Sequence, residues 1–223
     1  MYKNRYFAAA ISRMVLLSSC TILLMAAART DGYSHLTKAV SELGSTDAPH
    51  KGLFNWLGYM VPGLLIAWFA YGLSAQFRRK LPFGLLAASG LLLALAGAFP
   101  MDMDHRSAAA SVLHTVGSVG SGVAWLASAS LMSRALRSAS YWASVARPLA
   151  VVAWTAAPLI VLLPVLLPAA PALGQRIAFV SYFVFVLLLA GRLYGAAQVQ
   201  GAAHFPTHKP LAEQDANGTS AQG

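Results

Sequence analysis

Between Leu81 and Phe99 the chain runs for nineteen residues without one Asp, Glu, Lys or Arg. A helix needs about 20 mostly apolar residues to cross a hydrocarbon layer about 30 Å thick, because each residue rises about 1.5 Å. Six stretches meet that requirement, at about 6–28, 53–74, 81–99, 107–132, 148–169 and 176–197. The middle four hold no charged residue; the first holds Arg13, and the last, which opens on Arg176, holds Arg192 within it, both Arg13 and Arg192 expected to snorkel toward headgroups. Leu91-Leu92-Leu93-Ala94-Leu95-Ala96 and Val161-Leu162-Leu163 are apolar on every side, which excludes the alternating strands of a membrane barrel. The fold class expected is an all-α integral membrane bundle of six transmembrane helices.

Composition agrees with that reading. Hydrophobic residues make up 57% of the 223, charged residues only 10%, and a single cysteine, Cys20, excludes a disulfide scaffold. The net charge of +9 bears on orientation rather than on nucleic acid, which is not an expected partner. With the six spans in place, eleven Lys and Arg fall on one side and five on the other. The richer side, marked by Arg78-Arg79-Lys80, is assigned to the cytoplasm together with both termini. This makes residues 1–200 one membrane domain of the plasma membrane, followed by a polar tail, 201–223, expected to be disordered and cytoplasmic. At the N-terminus, Lys3, Arg5 and Ala26-Ala27-Ala28 also suit a cleavable signal peptide. The apolar run continues past Cys20 through Ile22-Leu23-Leu24-Met25, which favours an uncleaved span over a lipoprotein processing site.

Expected partners are the bilayer itself and, along Arg134–Arg147 with Tyr141 and Trp142, anionic lipid headgroups at the cytoplasmic face. Five of seven carboxylates, Asp31, Glu42, Asp47, Asp102 and Asp104, fall in the outer loops, joined by His35, His50 and His105. In the fourth span Ser107, Ser111, His114, Ser118, Ser121, Trp125 and Ser128 recur at spacings of four and three, which aligns them on one side of a helix. Such a seam suits packing against other helices, in this chain or in a protein partner. An imidazole within a span is expected to find a partner in the bundle interior or a wet cavity. A pocket is therefore expected at the outer end, formed by Ser41, Glu42, Asn55, Asp102, Asp104, His105, Ser111, His114 and Ser118. Glu42, Asp102 and His114 are the candidates for catalysis or for a metal. Pro62-Gly63 and Pro158, Pro164 and Pro168 are expected to kink their spans. No particular cofactor is indicated.

Val40-Ser41-Glu42-Leu43-Gly44, Pro49, Asn55, Gly58 and Pro62-Gly63, then Gly97, Phe99-Pro100, Asp102 and His114, resemble the two signatures of a prokaryotic membrane family catalogued as domain of unknown function 998. The resemblance runs from about residue 33 to 122, with the last two spans similar in hydrophobic layout alone. It implies a multi-span fold without an established activity, and it implies that Ser41, Glu42, Asp102 and His114 belong to the signature. Three functional readings suit these features. The first is a membrane assembly, structural or interaction module. The second is an outward-facing enzyme acting on lipid or a lipid-linked substrate, with metal assistance. The third is a small-solute or proton-coupled carrier or sensor.

Overall fold

The computed structural model describes residues 29–138 and 141–202, together with Leu23, Ala26 and Ala27. The body of the expected first span, Arg13 and Cys20 within it, and the tail after Ala202 lie outside the described residues. Among the described residues the chain is all helical, without strands. A short 3-10 turn, Val40–Gly44, precedes five long helices: α1 (Lys51–Ser74), α2 (Leu81–Ala98), α3 (Ala109–Arg137), α4 (Ala143–Leu166) and α5 (Leu173–Ala202).

Helix boundaries follow local chemistry. Pro82 occupies the first turn of α2, where a missing N–H costs nothing. Inside α1 the backbone widens to a π-helical stretch over Asn55–Met60, just before Pro62. Pro62 has no N–H to give the carbonyl four residues back, and its ring crowds that carbonyl, so the widened turn relieves the conflict. α3 runs past the expected end at 132 to Arg137, placing Arg134 and Arg137 in its last turn, where cations favour the helix dipole. α4 begins at Ala143 rather than 148 and stops at Leu166, just before Pro168.

Four of these helices, α1, α2, α4 and α5, are long and apolar enough to cross a membrane. α3 is long enough, at 29 residues or about 43 Å, but its seam of Ser, Gly and His makes it less apolar. The way α3 is turned explains this. Ser111, His114, Gly117, Ser121, Trp125 and Ser128 are buried, whereas Val112, Val116, Val119 and Val123 are exposed. The polar seam thus faces the bundle and the valines face outward, the reverse of a helix on a water-soluble core.

Helices α1, α2 and α3 approach at glycine. A Cβ built on Gly90 of α2 would lie 2.5 Å from the Gly63 carbonyl of α1, and one on Gly117 of α3 would lie 2.7 Å from the backbone of Ala96 and Leu92. Ser89 bridges three helices: its hydroxyl donates to the Ser121 carbonyl at 2.8 Å and lies 2.8 Å from the Tyr182 hydroxyl of α5. At the end of the bundle holding the α2–α1 link, Arg192 does not reach outward. Its Nε donates to the Tyr141 carbonyl at 2.8 Å, and the guanidinium lies 3.7 Å from the Tyr141 ring centre. Tyr141, in the short α3–α4 link, supplies both a carbonyl and a π-face within the arginine's reach.

Candidate functional site

The opposite end gathers the segment leading into α1, the α2–α3 loop and the α4–α5 loop. Backbone bonds stitch them: Thr46 N–H donates to the Met101 carbonyl at 3.0 Å, and Ala172 N–H to the Leu36 carbonyl at 3.0 Å. Side chains add to this. Asn55 Nδ2 donates to the Gly44 carbonyl at 2.8 Å, and Val40 N–H donates to Gln175 Oε1 of α5 at 2.7 Å.

His114 is buried, with 2% of its surface exposed, one and a half turns into α3. Its Nδ1 lies 2.8 Å from the Ala96 carbonyl and 3.1 Å from the Phe99 carbonyl. Carbonyl oxygens only accept, so Nδ1 carries the proton and the neutral ring keeps its lone pair on Nε2. The imidazole thereby caps the last turn of α2, where carbonyls lack helical partners. Tyr59 packs beside it, ring centres 5.9 Å apart.

Asp102 is occupied by its own loop. Its Oδ1 accepts from the N–H groups of Asp104 and His105, both at 2.9 Å, and its Oδ2 lies 3.3 Å from His105 Nδ1. These donors, the His105 N–H first, hold the carboxyl below the usual aspartate range. Ser111, in the first turn of α3, fastens the loop to the helix: Asp102 N–H donates to its Oγ at 3.0 Å, and that Oγ lies 3.1 Å from the His105 carbonyl. Asp104 and His105 themselves are exposed.

Glu42 closes the 3-10 turn that contains it. Its Oε1 accepts from Ala39 N–H at 2.8 Å, and its Oε2 pairs with the half-exposed Lys38 at 3.3 Å. Ser41 is buried beside it, and Ser118 bonds back to the His114 carbonyl of its own helix at 2.7 Å. Asp102, Asp104, His105 and Ser111 therefore form one hydrogen-bonded cluster. His114 reaches α2 from the same helix as Ser111, and Glu42 engages its own turn. Among the described residues no group of three or more His, Cys, Asp or Glu is arranged to hold a metal ion.

Four further polar residues at this end escaped the sequence pattern: Tyr33, Tyr59, Gln175 and Arg176. The Arg176 guanidinium donates to the Tyr33 hydroxyl at 2.5 Å and to the Ala172 carbonyl at 3.1 Å, and the Tyr33 hydroxyl donates to the Ala39 carbonyl at 3.1 Å. Burial holds the Tyr33 hydroxyl above the ordinary phenol range, with the Arg176 charge acting in the other direction. Tyr59 and Arg176 line a small cavity of about 60 Å³ with Val40, Phe54, Phe179 and Phe183. The Tyr59 hydroxyl and Arg176 Nε are buried without a partner among the described residues. The available signal in the sequence was a glutamine and an arginine opening a mostly apolar span, directly after a loop holding Pro168 and Pro171.

A sequence model of the family described as Protein of unknown function (DUF998) matches residues 14–192. The match is wider than the stretch that carries the two signatures, and it takes in α4 and most of α5. No curated protein and no solved structure is found to match the chain.

Proposed function

The chain belongs to the DUF998 family, and from that premise we propose that it is a six-span protein of the plasma membrane that serves as an assembly, structural or interaction module. Both termini lie in the cytoplasm, and the end that carries Glu42, Asp102 and His114 faces outward as a polar pocket. Anionic headgroups neutralise the arginines around the α3–α4 link, and a protein partner, or a second copy, packs on the exposed helix faces.

One observation carries this reading: Glu42, Asn55, Asp102 and His114 of the family signature each bond to backbone, with Asn55 Oδ1 left without a partner among the described residues. His114 caps α2, Asp102 folds its loop, Glu42 closes its turn and Asn55 holds Gly44. A general base or metal ligand needs a free lone pair directed at a reacting group; His114 keeps one on Nε2, but its ring is buried beside Tyr59 rather than open to a substrate. A carboxylate already accepting two backbone N–H bonds is instead a structural clip, and the same end of the bundle becomes a rigid, shaped surface. The inward polar seam of α3 supports insertion in lipid, since its exposed face is left to valine and leucine.

The test has two parts. A periplasm-dependent phosphatase fused after Gly223 is expected to be silent, and one inserted between Met103 and Asp104 to be active; the opposite pattern overturns the orientation. The full chain, extracted from native membranes in mild detergent, is expected to come out in stoichiometric association with a second membrane chain. A lone monomer holding a stoichiometric metal that is lost in Asp102→Asn would overturn the module reading in favour of an enzyme.

A further inference from the structure

A second, larger cavity of about 520 Å³ opens between α3, α4 and α5, running from Pro171 of the α4–α5 loop and Gln175 inward to Trp125. Its walls are Ser118 to Leu126 of α3, Ala157 to Pro164 of α4, and Gln175 to Tyr182 of α5. We propose that this cavity binds a neutral, membrane-dissolved lipid of acyl-chain size that bears a carbonyl group. The inference rests on the membrane reading above and goes beyond it by assigning a ligand.

Size and chemistry point the same way. At about 30 Å³ per water-sized group, the volume holds about 17 non-hydrogen atoms, the size of one long chain with its carbonyl. Most of the wall is Leu, Val, Ile, Ala and Phe, so water has few partners in it. The polar residues in the wall are largely satisfied by protein: Ser118 by the His114 carbonyl, Ser121 and Tyr182 by Ser89, and Gln175 Oε1 by Val40 N–H. Trp125 is the exception. It is 2% exposed, it lines the cavity, and its indole N–H has no acceptor among the described residues. An indole N–H can only donate, so the missing partner is an acceptor, and a carbonyl supplies one without bringing a charge. Trp125 stands sixteen residues into the 29-residue α3, about 24 Å along it and close to the middle. A phospholipid ester is held near the headgroups and does not reach that depth, whereas a neutral ketone, quinone or wax ester does.

Gly122 provides a clean blocking variant. It lines the cavity, and a Cβ added there meets nothing within 4 Å. The full chain in lipid nanodiscs would be photolabelled with a long-chain methyl ketone carrying a mid-chain diazirine. Adducts are expected to concentrate on 118–126 and 157–164. Gly122→Leu is expected to cut them at least about tenfold with thermal stability unchanged, and Trp125→Phe about threefold to tenfold, as for one lost hydrogen bond. Labelling spread evenly over exposed Val112, Val116, Trp154 and Val165, or unmoved by Gly122→Leu, would overturn the site. Equal and Gly122-sensitive labelling by a phosphatidylcholine with the same diazirine would overturn the neutral-lipid assignment. Retention of the chain in alkali-washed membranes, measured on the same preparations, tests the membrane reading separately, so an unlabelled but retained chain counts against the cavity alone.

Discussion

Helices α2 and α4 are both strongly apolar, with mean hydropathy of 1.9 and 2.4, yet half of α2 is buried inside the protein and only 17% of the most apolar stretch of α4 is. The difference is in the small residues. α2 carries Gly84, Ser89, Gly90 and Gly97, and at Gly90 it meets α1 backbone to backbone. α4 has no glycine and three prolines, and it presents Val151, Trp154, Val161 and Val165 to the surroundings. Hydrophobicity selects the medium of a helix, but it cannot pull two helices together where the medium is equally apolar; close backbone approach and interhelical hydrogen bonds do that. The cavity lies on the α4 side, where Gly174 of α5 against the Ile160 carbonyl makes the close backbone approach beside it.

The comparison breaks most sharply at Gly90. Gly90→Leu forces a side chain into the α1 backbone and is expected to cost more than about 3 kcal/mol, read as loss of the thermal unfolding transition in detergent. Gly122→Leu, the same change beside the cavity, is expected to leave that transition within about 0.5 kcal/mol; equal losses at the two sites would refute the packing contrast. Next comes His114→Ala, which frees the buried Ala96 carbonyl and the half-buried Phe99 carbonyl at the end of α2 and is expected to cost about 1–3 kcal/mol by the same measurement. Ser89→Ala removes the hydroxyl that joins α2, α3 and α5 and is expected to cost about 1 kcal/mol. The smallest effect is in the α2–α3 loop. Because the folded carboxyl of Asp102 titrates below its unfolded value, its contribution is complete above about pH 5 and fades as pH falls through the folded value. Hydrogen exchange at His105 N–H, corrected for intrinsic rates, is expected to speed up under acid in the wild-type chain and to lose that pH step in Asp102→Asn.

Much of the architecture was legible beforehand because a charge-free apolar run admits few structures. Helices α1, α2 and α5 cover the apolar runs read from the sequence to within about five residues, and the fourth-span stripe lies inward from Ser111 to Ser128, with Ser118 half-buried, whereas Ser107 precedes α3 and is exposed. The ends of α3 and α4 were less legible, since Ser, Ala and Arg around 133–147 suit a helix or a link equally, and packing decides. Gly117, Gly120 and Gly122 looked alike beside the stripe. Only Gly117 meets backbone, Gly120 meets a leucine side chain, and Gly122 borders open space. For the candidate site, residue types marked Glu42, Asp102 and His114, but nothing in the types foretold that each would engage nearby backbone. Arg176 and Tyr33, 143 positions apart, meet through the fold alone.

The sequence by itself determined that the chain is helical, that several of its helices are greasy enough for a membrane, and which face of α3 turns inward, because these depend on composition and on a period of 3.6 residues. The tertiary structure alone decided which glycine is a contact and which a gap, and which polar groups are satisfied and which, Trp125 among them, wait beside a cavity. Those outcomes depend on distances between residues far apart in the chain, and hydrogen bonds and close packing act only across a few ångströms.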